Sequence, residues 1–70
     1  MKSRDRSQLT KRHVQVLTWL AKGLTSEETG SKMGIHSKTV EAHRAGLLQR
    51  MEARNGAHAV YLGLKRGLIR

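Results

Sequence analysis

Between residues 25 and 44 the chain reads Thr25-Ser26-Glu27-Glu28, then Met33-Gly34-Ile35, then Thr39-Val40-Glu41-Ala42-His43-Arg44. This order of caps and breakers predicts a short helix, a tight glycine turn and a longer helix. Thr25 is a favoured N-cap, and Glu28 stands three residues on, where a capping box places a Glu. Gly34 supplies the left-handed conformation that ends a helix. A new helix restarts near Ser37. Two helices joined by a turn of roughly three or four residues containing Gly form a helix-turn-helix unit, whose second helix can lie in the DNA major groove.

The rest of the chain has to support that unit. Its 70 residues suffice for one domain with a modest core. With no Cys there is neither a disulfide nor a thiolate metal site, so stability rests on helix packing and on any partner subunit. Pro and Phe are absent, and one Trp and one Tyr leave strand formers sparse, which favours an all-α fold. Fourteen Lys and Arg against five Asp and Glu give a formal charge of +9. Such a charge suits nucleic acid, although membranes, RNA and acidic proteins also attract basic domains. No apolar run approaches the ~20 residues of a membrane span, and the polar start Met1-Lys2-Ser3-Arg4-Asp5-Arg6 is unlike a signal peptide. The expectation is a cytoplasmic protein without a membrane partner.

Residues 1–8 read as a flexible basic arm or a solubilising tail, and 9–70 as a compact four-helix domain. Helix 1 is expected to start after Thr10 and end near Lys22, burying Val14, Leu17, Leu20, Ala21 and Leu24, with Val16 and Trp19 widening the stripe and Gly23 as the stop. Trp19 is read as core. Helix 2 runs from about Ser26 to Met33 with Thr29, Gly30 and Met33 inward; Gly30 costs about 1 kcal/mol of propensity, compensated by close approach of another backbone. The helix-turn-helix unit spans about 26–45.

Helix 3 is expected from Ser37 to Met51. At about 100° per residue, Val40, Leu47 and Met51 share the inner side, flanked by Leu48 and His43, while Lys38, Glu41, Ala42, Ala45 and Gln49 face outward. Arg44 lies beside the core stripe, its stem suited to covering apolar surface while its head reaches a phosphate. Helix 4 runs from about Gly56 to Arg66, capped by Asn55 and stopped by Gly67, and Leu68-Ile69 folds back on the core. Its apolar stripe, with Ala57, Val60 and Leu64 on one side and Ala59, Leu62 and Gly63 close by, is broad enough to suggest self-association.

Leu9-Thr10-Lys11-Arg12, Val16-Leu17, Ala21-Lys22-Gly23-Leu24-Thr25, Met33-Gly34-Ile35, Thr39-Val40-Glu41-Ala42-His43-Arg44 and Gly67-Leu68-Ile69 together resemble the LuxR-type DNA-binding domain over residues 9–69 without gaps. The Thr39–Arg44 segment is most similar to the FixJ-like response regulators. The resemblance implies a four-helix domain, bacterial or phage transcription control, helix 3 as the recognition helix and helix 4 as the dimer contact. The family's receiver or ligand-binding domain has no counterpart in these residues. Where the family usually has Glu, this chain has His13; where it has Asn-Lys-Glu-Ile-Ala, this chain has Ser26-Glu27-Glu28-Thr29-Gly30, whose acids repel phosphate. His36 replaces the usual Ser or Thr cap of helix 3, so that Ser37 is expected to cap instead, and Gly56 and Gly63 replace an Arg and an Ala of helix 4.

The expected function is sequence-specific binding of double-stranded DNA by a homodimeric transcription regulator. Phosphate contacts are assigned to Thr25, Ser26, Lys38 and Arg44, with additions from Lys11, Lys32 and the arm; base contacts to Lys38, Glu41 and Gln49, with Ala42 and Ala45 against a thymine methyl. Thr39 completes the DNA-binding set, and Ala59, Leu62, Gly63 and Arg66 form the expected dimer interface. Glu41 also has a plain role as a solvated acid pairing with Lys38 or Arg44. The alternative is a protein-interaction module of the same fold that binds another transcription regulator. His13, His36, His43 and His58 lack metal-ligand spacing, and no acid–histidine pair suggests catalysis, so no cofactor and no enzymatic activity are expected.

Overall fold

The structure, a computed structural model, describes residues 9–70; the arm expected over 1–8 lies outside the described residues. Four helices follow in order, α1 Lys11–Ala21, α2 Ser26–Met33, α3 Ser37–Met51 and α4 Gly56–Lys65, with no strand among the described residues. This is the all-α arrangement expected. The longest helix, α3, packs against each of the other three, and α1 also touches α2 and α4.

The core gathers Val16 and Leu17 from α1, Val40, Leu47 and Met51 from α3, Ala59 from α4 and Ile69 from the tail. Leu17 and Leu47 lose all solvent contact. Ile69 reaches the core because Gly67 turns the chain at φ 74° and the Leu68 and Ile69 amides donate to the Gly63 carbonyl.

On α1 the buried stripe lies at a different phase from the one expected. His13, Val16 and Leu17 are buried, Val14 is only half-buried and Ala21 is exposed. The N-terminal cap brings a polar residue into that stripe. Thr10 Oγ1 accepts from the His13 amide at 3.1 Å, and His13 Nδ1 accepts from the Thr10 amide at 3.1 Å. An imidazole thus takes the place of the Glu or Gln of a capping box, and the bond holds the ring inward at 7 % exposure. Trp19 is half-buried rather than core.

That buried ring predicts a pH response. Burial, then the charge of Arg50, then His43 lower the His13 pKa below its ordinary value of 6.5. The unfolded chain therefore binds the proton more readily. His13's contribution is complete above about pH 6.5 and is lost as pH falls through its lower, folded-state pKa. Thermal melts at about pH 7.5 and pH 5 should show a lower midpoint in acid. His13→Gln, which keeps the capping acceptor without titrating, should shrink that difference; an unchanged difference would assign it to other groups.

At its far end α3 stops on Glu52, a non-glycine residue at φ 57°. An L side chain in this conformation costs about 1 kcal/mol, and a carboxylate opposes the helix dipole there. Glu52→Gly should raise the unfolding midpoint by roughly 4–8 °C. A drop in midpoint would mean that the Glu52 side chain contributes more than the strain it causes.

Candidate nucleic-acid interface

The turn between α2 and α3 is built as the residues predict. Thr25 Oγ1 accepts from the Glu28 amide at 3.1 Å, and Glu28 Oε1 accepts from the Thr25 amide at 2.9 Å. Gly34 ends α2 at φ 72°, and the Ile35 amide donates to the Gly30 carbonyl at 2.9 Å. Gly30 itself is buried where the turn returns over the helix: a Cβ placed there would stand 2.5 Å from the Ile35 carbonyl oxygen and 3.4 Å from the Ser37 nitrogen. The close backbone approach expected at Gly30 is therefore with the turn that leads into α3, and it sets how tightly α3 is held against α2.

α3 begins at Ser37 as expected, but on a different cap. His36, not Ser37, is the N-cap, with Nδ1 accepting from the Lys38 amide at 3.1 Å. With Nδ1 as acceptor, the neutral ring carries its proton on Nε2. His36 is exposed, so this N–H is a further donor at the entrance of α3. His58 does the same at α4, accepting from the Arg54 amide at 2.9 Å while Asn55 caps the His58 amide. Three of the four histidines thus accept backbone amides at helix starts. Their short reach to Nδ1 is the signal that could have identified them, but imidazole is not among the usual capping side chains.

Lys38, Thr39, Glu41, Ala42, Ala45 and Gln49 are all exposed. The five assigned to the outer face recur at i, i+3, i+4, i+7 and i+11, opposite the buried Val40, Leu47 and Met51. A helix of 15 residues is about 22 Å long. Its outer side carries one cation, one acid, one amide and two methyl groups, chemistry that can read base edges. The two alanines keep the middle of this side low.

At the start of α2, Thr25 is exposed and Ser26 half-buried. Glu27 and Glu28 are both exposed, and the Glu28 carboxylate is held in the capping box. Arg44 is half-buried and lies apart from the outer side of α3: a Cβ on Gly56 would meet its Nη2 at 3.0 Å. Its guanidinium thus lies over the start of α4, filling space that the absent Gly56 side chain leaves open. His43 is half-buried and meets His13 edge to face, with ring centroids 6.1 Å apart.

Two of the four residues expected at a dimer surface, Ala59 and Gly63, are buried within the chain and do not face outward. Ala59 is fully buried, and Gly63 is buried where a Cβ would stand 2.8 Å from Leu17 Cδ2. Both serve packing within the chain, because α4 must lie close to α1. Leu62 is half-buried against the core and Arg66 is exposed. The exposed residues of α4 are instead Ala57, Tyr61, Leu64 and Lys65, with Tyr61 56 % and Leu64 49 % exposed and the Lys65 ammonium 5.7 Å from the centre of the Tyr61 ring. No described helix is long and apolar enough to cross a membrane.

The family model described as "Bacterial regulatory proteins, luxR family" matches residues 7–62. The chain is 33% identical over 61 residues to the Oxygen regulatory protein NreC of Staphylococcus carnosus (strain TM300), covering 87% of this chain and 28% of NreC. To the Transcriptional regulatory protein UhpA of Salmonella typhimurium it is 40% identical over 58 residues, 79% of this chain and 30% of UhpA. Transcriptional regulatory protein YdfI of Bacillus subtilis is 29% identical over 68 residues, 97% of this chain and 32% of YdfI. The chain thus spans about a third or less of the length of these relatives. No solved structure matches significantly. With four helices in the expected order and a family match over most of its residues, the chain belongs to the luxR family of bacterial regulatory proteins.

Proposed function

We propose that this domain binds double-stranded DNA as a dimeric transcription regulator, with α3 in the major groove. The observation that carries this reading is the exposed outer side of α3, where Lys38, Ala42 and Ala45 are accessible on a helix braced from behind by the whole core. Named regulators of transcription among the relatives support it.

Lys38, Glu41 and Gln49 read base edges, Ala42 and Ala45 take a thymine methyl, and Thr39 flanks them. Lys38 bonds to guanine acceptors, Gln49 to adenine and Glu41 to cytosine N4. Phosphates meet Thr25, Ser26 and the first amides of α2, with the His36 Nε2–H at the start of α3. Two copies associate through the outward side of α4, where Tyr61 and Leu64 are exposed, with Arg66 beside them. The formal charge of +9 draws the domain to DNA from any direction.

Arg44 contributes a phosphate contact from the flank of α3. Arg44→Ala should weaken binding to every sequence alike and reduce the salt slope by about one unit. An unchanged slope would confine Arg44 to covering Gly56. The function itself is tested by selecting bound duplexes from a random pool at two salt concentrations. An enriched motif, palindromic for a symmetric dimer, is the expected result. Absence of enrichment, with binding that fades uniformly as salt rises, contradicts sequence-specific recognition.

A further inference from the structure

A groove of about 540 Å³ lies between α1 and the end of α2. Trp19 and Met33 give it an apolar part, and Lys11, Arg12 and Lys32 bring positive charge. No carboxylate lines it among the described residues. The ammonium groups of Lys22 and Lys32 lie 5.4 and 5.9 Å from the centre of the Trp19 ring. Lys11 and Lys32, expected from the sequence to add phosphate contacts, thus share a recess with an indole.

We propose that this groove docks an acidic segment of a partner protein, with an apolar side chain against Trp19 and Met33 and carboxylates on Lys11, Arg12 and Lys32. Charge complementarity selects an anion. Shape and chemistry then favour a peptide over a duplex. A DNA backbone presents a convex row of phosphates, and its deoxyribose C–H groups offer an indole and a thioether in a recess less apolar surface than a protruding apolar side chain does. A recess of this volume falls within the range of about 300–1,000 Å³ that encloses ligand groups. Trp and Arg are also the side chains that most often anchor protein interfaces. The docking does not require α3 to engage DNA.

Trp19 is the sole tryptophan, so its emission reports on the groove directly. The 70-residue chain is titrated with an amphipathic helical peptide bearing Glu along its rim and one central Phe, and with the counterpart in which every Glu is Gln. The Glu peptide should change the Trp19 signal saturably, and the Gln peptide should bind at least about tenfold more weakly. Arg12→Gln combined with Lys32→Gln, both at exposed positions, should weaken the Glu peptide by about tenfold. Arg54→Gln, which removes an exposed charge outside the groove, should change it by less than about twofold. Nuclear magnetic resonance shifts of the Trp19 indole and the Lys32 amide should follow the same titration. Equal losses at Arg54 and at the groove, equal binding of the Gln peptide, or no saturable Trp19 response would overturn the proposal. Displacement of the peptide from Trp19 by a random-sequence duplex would also overturn it and make the groove a phosphate contact.

Discussion

Gly30→Val should abolish the cooperative unfolding transition of this domain. The position is buried, and even a first methyl meets the Ile35 carbonyl oxygen at 2.5 Å, a backbone atom that cannot rotate away. Alanine asks the turn to move outward and partly offsets that cost through helix propensity. Valine adds two branches in the same crowded space. The expected cost exceeds about 3 kcal/mol. A domain of this size has only about 4–10 kcal/mol in total. Circular dichroism during a thermal melt should show a broad, weakly cooperative change in place of a sigmoid. A sharp transition within a few degrees of the parent would mean that α2 and the turn are less tightly coupled than this geometry requires.

The second large effect concerns function and should leave the fold intact. Ala42 is exposed in the middle of the outer side of α3, and Glu is a good helix former. Ala42→Glu should therefore melt normally, yet place a carboxylate where the proposed account puts base edges. Binding to the selected duplex should weaken by about a hundredfold, roughly 2.7 kcal/mol. Ala42→Gln, of similar size without the charge, should lose sequence preference while keeping non-specific affinity. Affinity and preference unchanged in both variants would remove this side of α3 from the interface.

The parts of this molecule that were readable from its residues are those in which one side chain does one local job. Thr25, Glu28 and Gly34 define α2 because caps act within a few residues of themselves, and the bonds from Thr25 and Glu28 form as their types require. The outer side of α3 was equally readable, since Val40, Leu47 and Met51 fix its opposite side. The misreadings arise where one residue type serves two purposes. Ala59 and Gly63 suit an interface between chains or close packing within one, and only the approach of Leu17 decides between them. His13 is polar, so hydrophobic periodicity phases the α1 stripe without it, whereas in the structure the capping ring is buried. His36 took over a capping role that the neighbouring serine seemed better suited to fill. Trp19 has the size of a core residue but lies half-buried between two lysines. The place of the Arg44 guanidinium over a glycine of α4 is a further feature that only helix packing supplies. The packing of Gly63 and the placement of Arg44 are set by what another helix brings alongside, whereas the His13 and His36 caps are local but use a side chain outside the usual capping set.

The most direct measurement is a nuclear magnetic resonance titration of the 70-residue chain with the duplex recovered from selection. With α3 in the groove, the amides of Lys38, Ala42, Ala45 and Gln49 should shift together and saturate with the duplex. Amides along α3 that stay in place while those of α4 or of α1 move would contradict that placement.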